Sequence, residues 1–163
     1  MIPKVIVKLN QHRPKAEWIK HQSGLAYLPL NITVPTFDIS KEWNEVKHIA
    51  IHHRDSDTLL KYKHEGWLSL SLYGVNATTT EQSLEKHNWT EIADKCPKTC
   101  NFFKSIFNEN NFKGRIRFML LEPGGYILPH KDRTNKGLSE VNLAINNPTG
   151  CKFNIENKGT VPF

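Results

Sequence analysis

A histidine and a carboxylate stand two residues apart near the end of the chain. His130 and Asp132 follow a short apolar run that comes directly after the Pro-Gly-Gly sequence at 123–125. In an extended segment alternate side chains project to the same side, so both groups could reach one metal ion. Imidazole plus carboxylate suits Fe(II) or Mn(II), and a His-x-Asp pair with one distant histidine is the facial triad that holds non-haem iron. Taken alone, such a pair is more often two surface residues, so its spacing permits two of the three ligands of such a centre but leaves the surface pair open as the alternative.

The composition is that of one ordinary globular domain. The chain has 163 residues, of which 38% are hydrophobic, and its mean hydropathy is −0.52. This length is enough for a sizeable core. No apolar run approaches the roughly 20 residues of a membrane-spanning helix, and the apolar stretch within 1–10 is too interrupted for a signal peptide. A cytoplasmic location without membrane contact is the default expectation.

Charge and cysteine content narrow the range of partners. The net charge is +6 and the isoelectric point about 9.2, which permits an acidic partner. The basic residues are scattered, so a solvated lysine-rich surface is favoured over a nucleic-acid partner. The three cysteines come without a secretion signal and are expected to be free thiols. Cys96 and Cys100 are interpreted as semi-buried small residues, because no second cysteine pair completes a zinc site.

Alternating hydrophobicity predicts several strands. Residues 66–74 place leucines on one face and aromatic and serine side chains on the other. Residues 114–120 alternate in the same way, with arginines opposite the apolar set. The Pro-Gly-Gly sequence at 123–125 is expected to form a turn. Two shorter strands are predicted at 141–145 and 152–155, with a turn between them.

Helices are predicted mainly before this strand-rich region. Ser40 is the predicted N-cap of a helix over 41–48, and a short polar helix is predicted up to Lys86. Pro97 is suited to the first turn of a helix that continues to Phe107. Helices followed by an antiparallel sheet indicate an α+β fold.

Four segments resemble a known family. Residues 117–133, RFMLLEPGGYILPHKDR, resemble the metal-binding core of 2-oxoglutarate/Fe(II)-dependent oxygenases, and in particular the aspartyl/asparaginyl β-hydroxylase-like group. Residues 141–153, VNLAINNPTGCKF, resemble that group's strand, Pro-x-Gly-Cys turn and next strand. Segments 66–74 and 88–93 resemble its N-terminal lead-in, so the resemblance covers roughly 60–163. It implies a double-stranded β-helix, a jelly-roll or cupin-like core preceded by N-terminal helices.

The resemblance also implies residue roles. It makes His130 and Asp132 ligands of Fe(II), with 2-oxoglutarate as cosubstrate. It places Asn142 near the cosubstrate's C1 carboxylate and Arg117 on the strand that leads to the metal, where it would face the pocket; for both, a plain structural role stays open. The implied activity is hydroxylation of a peptidyl or amino-acid side chain, with a peptide or small molecule as substrate. The alternative is a metal-free β-sandwich binding module that kept the scaffold.

The domain boundaries follow from the same resemblance. Residues 1–163 would form a single oxygenase-like domain, with a helical or irregular lead-in at about 1–112 and jelly-roll strands at about 113–163. In this family a further metal-binding histidine and a cosubstrate-binding arginine follow the His-x-Asp pair, and neither follows Arg133 here. We therefore expect a C-terminally truncated jelly roll with impaired catalysis. Its exposed sheet edge is expected to favour a homodimer.

Three upstream histidines could be considered as substitutes for the third ligand. His48, His52 and His53 lie close together in the sequence. If this segment is extended, His52 and His53 point to opposite faces, so only one of them could join a metal site. The interpretation favoured by the sequence is that they are edge or solvent histidines.

Overall fold

The computed structural model describes residues 21–22, 24, 27, 29–53, 65–78, 87–107, 114–130 and 141–161. The helices are α1 at Thr36–Val46 and α2 at Pro97–Ile106, each next to one turn of 3-10 helix, at Lys47–Ile49 and Ala93–Lys95. The strands are β1 Ile51–His52, β2 Glu65–Gly74, β3 Asn88–Trp89, β4 Ile116–Tyr126, β5 Phe153–Ile155 and β6 Gly159–Val161. This mixture of helices and antiparallel strands confirms the predicted α+β class.

β2 is the central strand of the main sheet. β4 pairs with β2 along most of its length, from Glu65 opposite Tyr126 to Tyr73 opposite Ile116. β1 and β3 pair with the other edge of β2. All these pairings are antiparallel, and β5 with β6 forms a separate hairpin. The β2–β4 pair is therefore the platform with which β1 and β3 pair and against which the two helices pack.

The two helices cover one face of this platform. Leu70 and Leu72 of β2 and Phe118 of β4 are at most 5% exposed, and they share a core with residues of both helices. The ring of Trp43 in α1 packs against Phe118, with centroids 5.0 Å apart. Burying a large apolar side chain contributes roughly 1.5–3 kcal/mol, so this leucine face holds the helices on the sheet. The predicted alternation of 66–74 is confirmed for these leucines.

β4 contains a bulge where a turn was predicted, with residues 122–125 opposite Gly66 of β2. The strand stays paired with β2 on both sides of residues 122–125, so these residues do not reverse the chain and the prediction of a turn is wrong. Gly124 does have the positive φ (79°) that favours glycine. Opposite the bulge, Gly66 has φ 63°, and a Cβ there would lie 3.2 Å from the Cα of Gly125. The two strands approach each other through glycine at this point.

The helix predictions had mixed outcomes. α1 begins at Thr36, so Ser40 lies inside it and is not its N-cap. The N-cap is Pro35, whose missing N–H costs no helical hydrogen bond at this position. α2 begins at Pro97 and ends at Ile106, as predicted to within one residue. The helix predicted up to Lys86 lies outside the described residues.

Of the two strands predicted near the end of the chain, one is confirmed and one is wrong. Residues 141–145 are irregular, so the strand predicted there is wrong, while β5 confirms the strand predicted at 152–155. The turn between them is confirmed by a hydrogen bond from the Cys151 N–H to the Pro148 carbonyl (3.0 Å). The single domain over 1–163 and its division near residue 112 stay predictions. Among the described residues, no helix is both long and apolar enough to cross a membrane.

Candidate functional site

The sheet face turned away from the helices is polar. Trp67, Ser69 and Ser71 alternate with the core leucines along β2, and the β4 partners of the two serines are Met119 and Arg117. The three β2 residues are 8%, 4% and 3% exposed. Buried hydroxyl groups cost free energy unless they are hydrogen-bonded. This face, called the polar face below, therefore differs from the apolar leucine face in burying hydroxyl groups.

His53, the residue after β1, is buried against this polar face. It is 3% exposed, and its ring Nδ1 lies 2.9 Å from Ser69 Oγ. Its main-chain N–H donates to the Trp67 carbonyl (2.7 Å). The imidazole and indole centroids are 4.2 Å apart. The expectation of an edge or solvent histidine is wrong for His53, because pairing with β2 extends one residue past β1 and carries this side chain inward. It is confirmed for His48 and His52, which are exposed.

His130, the first predicted metal ligand, lies beside the same tryptophan. Its imidazole centroid is 5.8 Å from that of Trp67, within the range of attractive aromatic pairs. The side chain is exposed, and its Nδ1 lies 2.8 Å from the Leu128 carbonyl oxygen. A carbonyl oxygen can only accept, so Nδ1 carries the proton. In the neutral imidazole, Nε2 then holds the lone pair that a metal ion requires.

Of the other predicted site residues, Arg117 and Asn142 lie within the described part of the chain. Arg117 is half-buried on β4 and shares the polar face with Trp67. Asn142 is exposed in an irregular segment. Asp132 lies outside the described residues. Within the part of the chain that is described, no three His, Cys, Asp or Glu side chains form a group that could hold a metal ion. Metal binding by His130 and Asp132 therefore stays a prediction.

Sequence reasoning did not connect Trp67, or His53 through it, with His130. Trp67 carried a usable signal, because an aromatic residue alternating with serines is unusual on a strand that belongs to a core. His53 carried no such signal, since its burial depends on which residues of β2 the two-residue strand β1 pairs with.

Two of the predicted free thiols, Cys96 and Cys100, belong to the core on the leucine face of the sheet. Cys96 and Cys100 are 0% and 5% exposed, and all three cysteines are free. Burial, more than the nearby charge of Glu42, raises the pKa of Cys96 to about 12, and burial likewise raises the pKa of Cys100 to about 11. Both thiols stay protonated at neutral pH, which argues against a nucleophile there. They are buried more completely than the semi-buried residues that the sequence predicted.

A comparison with known protein families gave one match. The family model of the aspartyl/asparaginyl β-hydroxylases matches residues 36–160, which include both helices, the main sheet and His130. No curated protein and no solved structure matched the chain.

Proposed function

Because the chain belongs to the aspartyl/asparaginyl β-hydroxylase family, we propose that it is an Fe(II)- and 2-oxoglutarate-dependent hydroxylase. Family membership supports a hydroxylase-type enzyme. The metal, the cosubstrate and the substrate class belong to the proposal. The substrate would be a peptidyl or amino-acid side chain, offered by a peptide or a small molecule.

The observation that carries the proposal is the hydrogen bond between the His130 ring and the Leu128 carbonyl. The ring Nδ1–H points at the Leu128 carbonyl, which selects the tautomer with the lone pair on Nε2. Metal-binding histidines commonly donate their other ring N–H to a carbonyl or carboxylate in this way, which fixes the ring and its tautomer. The donor set of the pair, one imidazole and the carboxylate of Asp132, also fits Fe(II). These residues therefore suit the group that the family implies.

The chain's own residues would position the reactants. When bound, Fe(II) would supply the O2-dependent conversion of a C–H bond to C–OH, with 2-oxoglutarate consumed to succinate and CO2. His130 and Asp132 would hold the ion. Arg117 carries a permanent positive charge on the polar face and would bind a carboxylate of the cosubstrate, and Asn142 would donate its amide N–H to the C1 carboxylate.

The proposal extends to the architecture. In a jelly roll the polar face of β2 and β4 would face a second sheet and line the pocket between the two. The chain would act as one cytoplasmic domain. No strand within the described ranges pairs with the outer edge of β4, and such an edge favours pairing with a second copy. A homodimer through this edge is therefore part of the proposal.

Anaerobic titration with Fe(II) or with Mn(II) tests the metal site. Loss of an outer-shell partner typically weakens metal binding by about 10–100-fold, so His130→Ala and Asp132→Ala should each weaken it at least about tenfold. His52→Ala is the matched control, since His52 is exposed on the other sheet face. Any succinate that the chain forms from 2-oxoglutarate, even at a low rate, should be lost in His130→Ala, which tests the cosubstrate.

Two results would overturn the proposal. One is a wild-type chain that binds neither metal ion, which would favour the metal-free binding module. The other is a control variant that loses as much affinity as the two ligand variants, because the metal would then be bound elsewhere.

A further inference from the structure

Three aromatic side chains form a row that ends at the proposed metal ligand. His53 packs on Trp67 with centroids 4.2 Å apart and an interplanar angle of 55°. Trp67 packs in turn against His130 at 5.8 Å and 35°. His53, Trp67 and His130 are called the aromatic row below. Separations of this size allow attractive ring–ring contact, so each member restricts the next.

The inner end of the aromatic row is fixed by the sheet. His53 is 3% exposed and Trp67 is 8% exposed, so neither ring can change rotamer without disturbing close packing. The His53 imidazole is further held by Ser69 Oγ at 2.9 Å. Its main chain is held by the Trp67 carbonyl at 2.7 Å. The position of the indole is therefore set by groups inside the fold.

The outer end of the aromatic row, His130, is not held by burial. His130 is exposed, and an exposed side chain loses rotamer freedom only to the extent that its neighbours restrict it. A metal site needs its ligands held to within about 0.5 Å and 10–20° of the productive geometry. The Leu128 carbonyl fixes which nitrogen of His130 is protonated, while the face of Trp67 limits the tilt of the ring.

We propose that His53 is a positioning residue which, through Trp67, holds the imidazole of His130 in its metal-binding orientation. This inference rests on the proposed function. It gives His53 a role at the inner end of the aromatic row, where its ring lies against the indole and its Nδ1 lies 2.9 Å from Ser69 Oγ. An apolar residue would fill the same space without a buried polar nitrogen to satisfy. The hydrogen bond between His53 and the buried Ser69 gives the ring a defined position that an apolar residue would lack.

The first test measures the orientation of His130 in the metal-free protein. The ring protons of His130, observed by NMR, carry a ring-current shift from Trp67. His53→Phe keeps an aromatic ring but removes the bond to Ser69, and Ser69→Ala removes the same bond with a smaller change. Both should move the His130 signals toward their random-coil positions, while the control His52→Phe should leave them in place. Unchanged His130 signals in both variants would overturn the inference.

The second test measures the affinity for Mn(II), with every variant first shown to be folded by circular dichroism. We expect His53→Phe to weaken binding about tenfold, as other losses behind a metal ligand do. Trp67→Leu should weaken it by a similar factor, and combining the two should cause no further loss. If His53→Phe causes its full loss in the Trp67→Leu background, His53 acts independently of the indole and the inference is wrong.

The two tests separate the possible failures. A wild-type chain that binds no Mn(II) would refute the proposed function, while the NMR comparison would still decide whether His53 sets the orientation of His130. A chain that binds Mn(II) with unchanged affinity and unchanged His130 signals in His53→Phe would refute the positioning role alone.

Discussion

Replacing Glu42 should destabilise the fold, because this carboxylate caps a helix from a distance. Glu42 lies in α1 and is 7% exposed. It accepts hydrogen bonds from the Lys98 N–H (2.8 Å), the Thr99 N–H (2.8 Å) and the Thr99 hydroxyl (2.6 Å). Cys96, at the N-cap of α2, makes no side-chain cap bond. Glu42 therefore satisfies N–H groups that the start of α2 leaves without partners, at the positive end of the helix dipole.

The size of the effect follows from these contacts. Loss of a capping side chain costs about 1 kcal/mol, and each buried donor left without a partner costs about 1–3 kcal/mol. Thr99 is 0% exposed, so water cannot readily replace the missing carboxylate. The three bonds share one group and are not additive, so we expect Glu42→Ala to lower the free energy of unfolding by about 3–5 kcal/mol. Glu42→Gln keeps one accepting oxygen and should lose about half of this.

Urea unfolding followed by far-UV circular dichroism measures this difference. Glu45→Ala is the matched control, because Glu45 lies on the same helix but is exposed, and such changes usually stay within about 0.5 kcal/mol. Lys98→Ala is a second control that removes the exposed ion pair between Lys98 and Asp38, for which little loss is expected. A Glu42→Ala variant as stable as the Glu45→Ala variant would refute the capping argument.

Three further predictions concern the thiols and the glycines. At pH 8 iodoacetamide should label the exposed Cys151 but not Cys96 or Cys100, because burial keeps those thiols protonated; peptide mass spectrometry would reveal any contrary labelling. The folded pKa values of about 12 and about 11 lie above the ordinary 9.0. The stability that these protonated thiols contribute is fully present below pH 9 and should be lost as the pH rises from 9 toward about 12. Urea midpoints at pH 7 and 10 should therefore fall less in a Cys96→Ala/Cys100→Ala variant than in the wild type. Gly66→Ala should cost more than the about 1–2 kcal/mol of a positive φ, since its Cβ would meet backbone at 3.2 Å, whereas Gly124→Ala meets nothing within 4 Å. Equal losses in urea unfolding would contradict this steric argument.

The main sheet could be predicted from the sequence because its signal is local. Alternation along 66–74 and 114–120 depends only on which side chains face the core, and the pairing of β2 with β4 agrees with both. The start of α2 was also predictable, since Pro97 favours the first turn of a helix and disfavours its interior. In each case the physical cause lies within a few residues of the element that it specifies.

The remaining features depend on contacts between distant segments. The strand predicted at 141–145 has suitable residue types, but a strand exists only where a partner pairs with it. The bulge at 122–125 depends on the approach of Gly66 from β2. The burial of His53 depends on the register of β1, and a shift by one residue would have exposed it and buried its neighbour. No local pattern contains this information.

The two faces of β2 bury different kinds of side chain. The leucine face contributes through apolar burial, which tolerates modest adjustment as long as volume is kept. The other face buries Ser69 and Ser71, where hydrogen bonds have defined directions. The main chain of Ser71 is also held, with its carbonyl bonded to the Thr90 hydroxyl at 2.8 Å and its N–H to the Ala77 carbonyl at 2.8 Å. Satisfied polar networks of this kind favour one arrangement over its close alternatives. The His53–Ser69 pair on this face packs against Trp67, which in turn contacts His130.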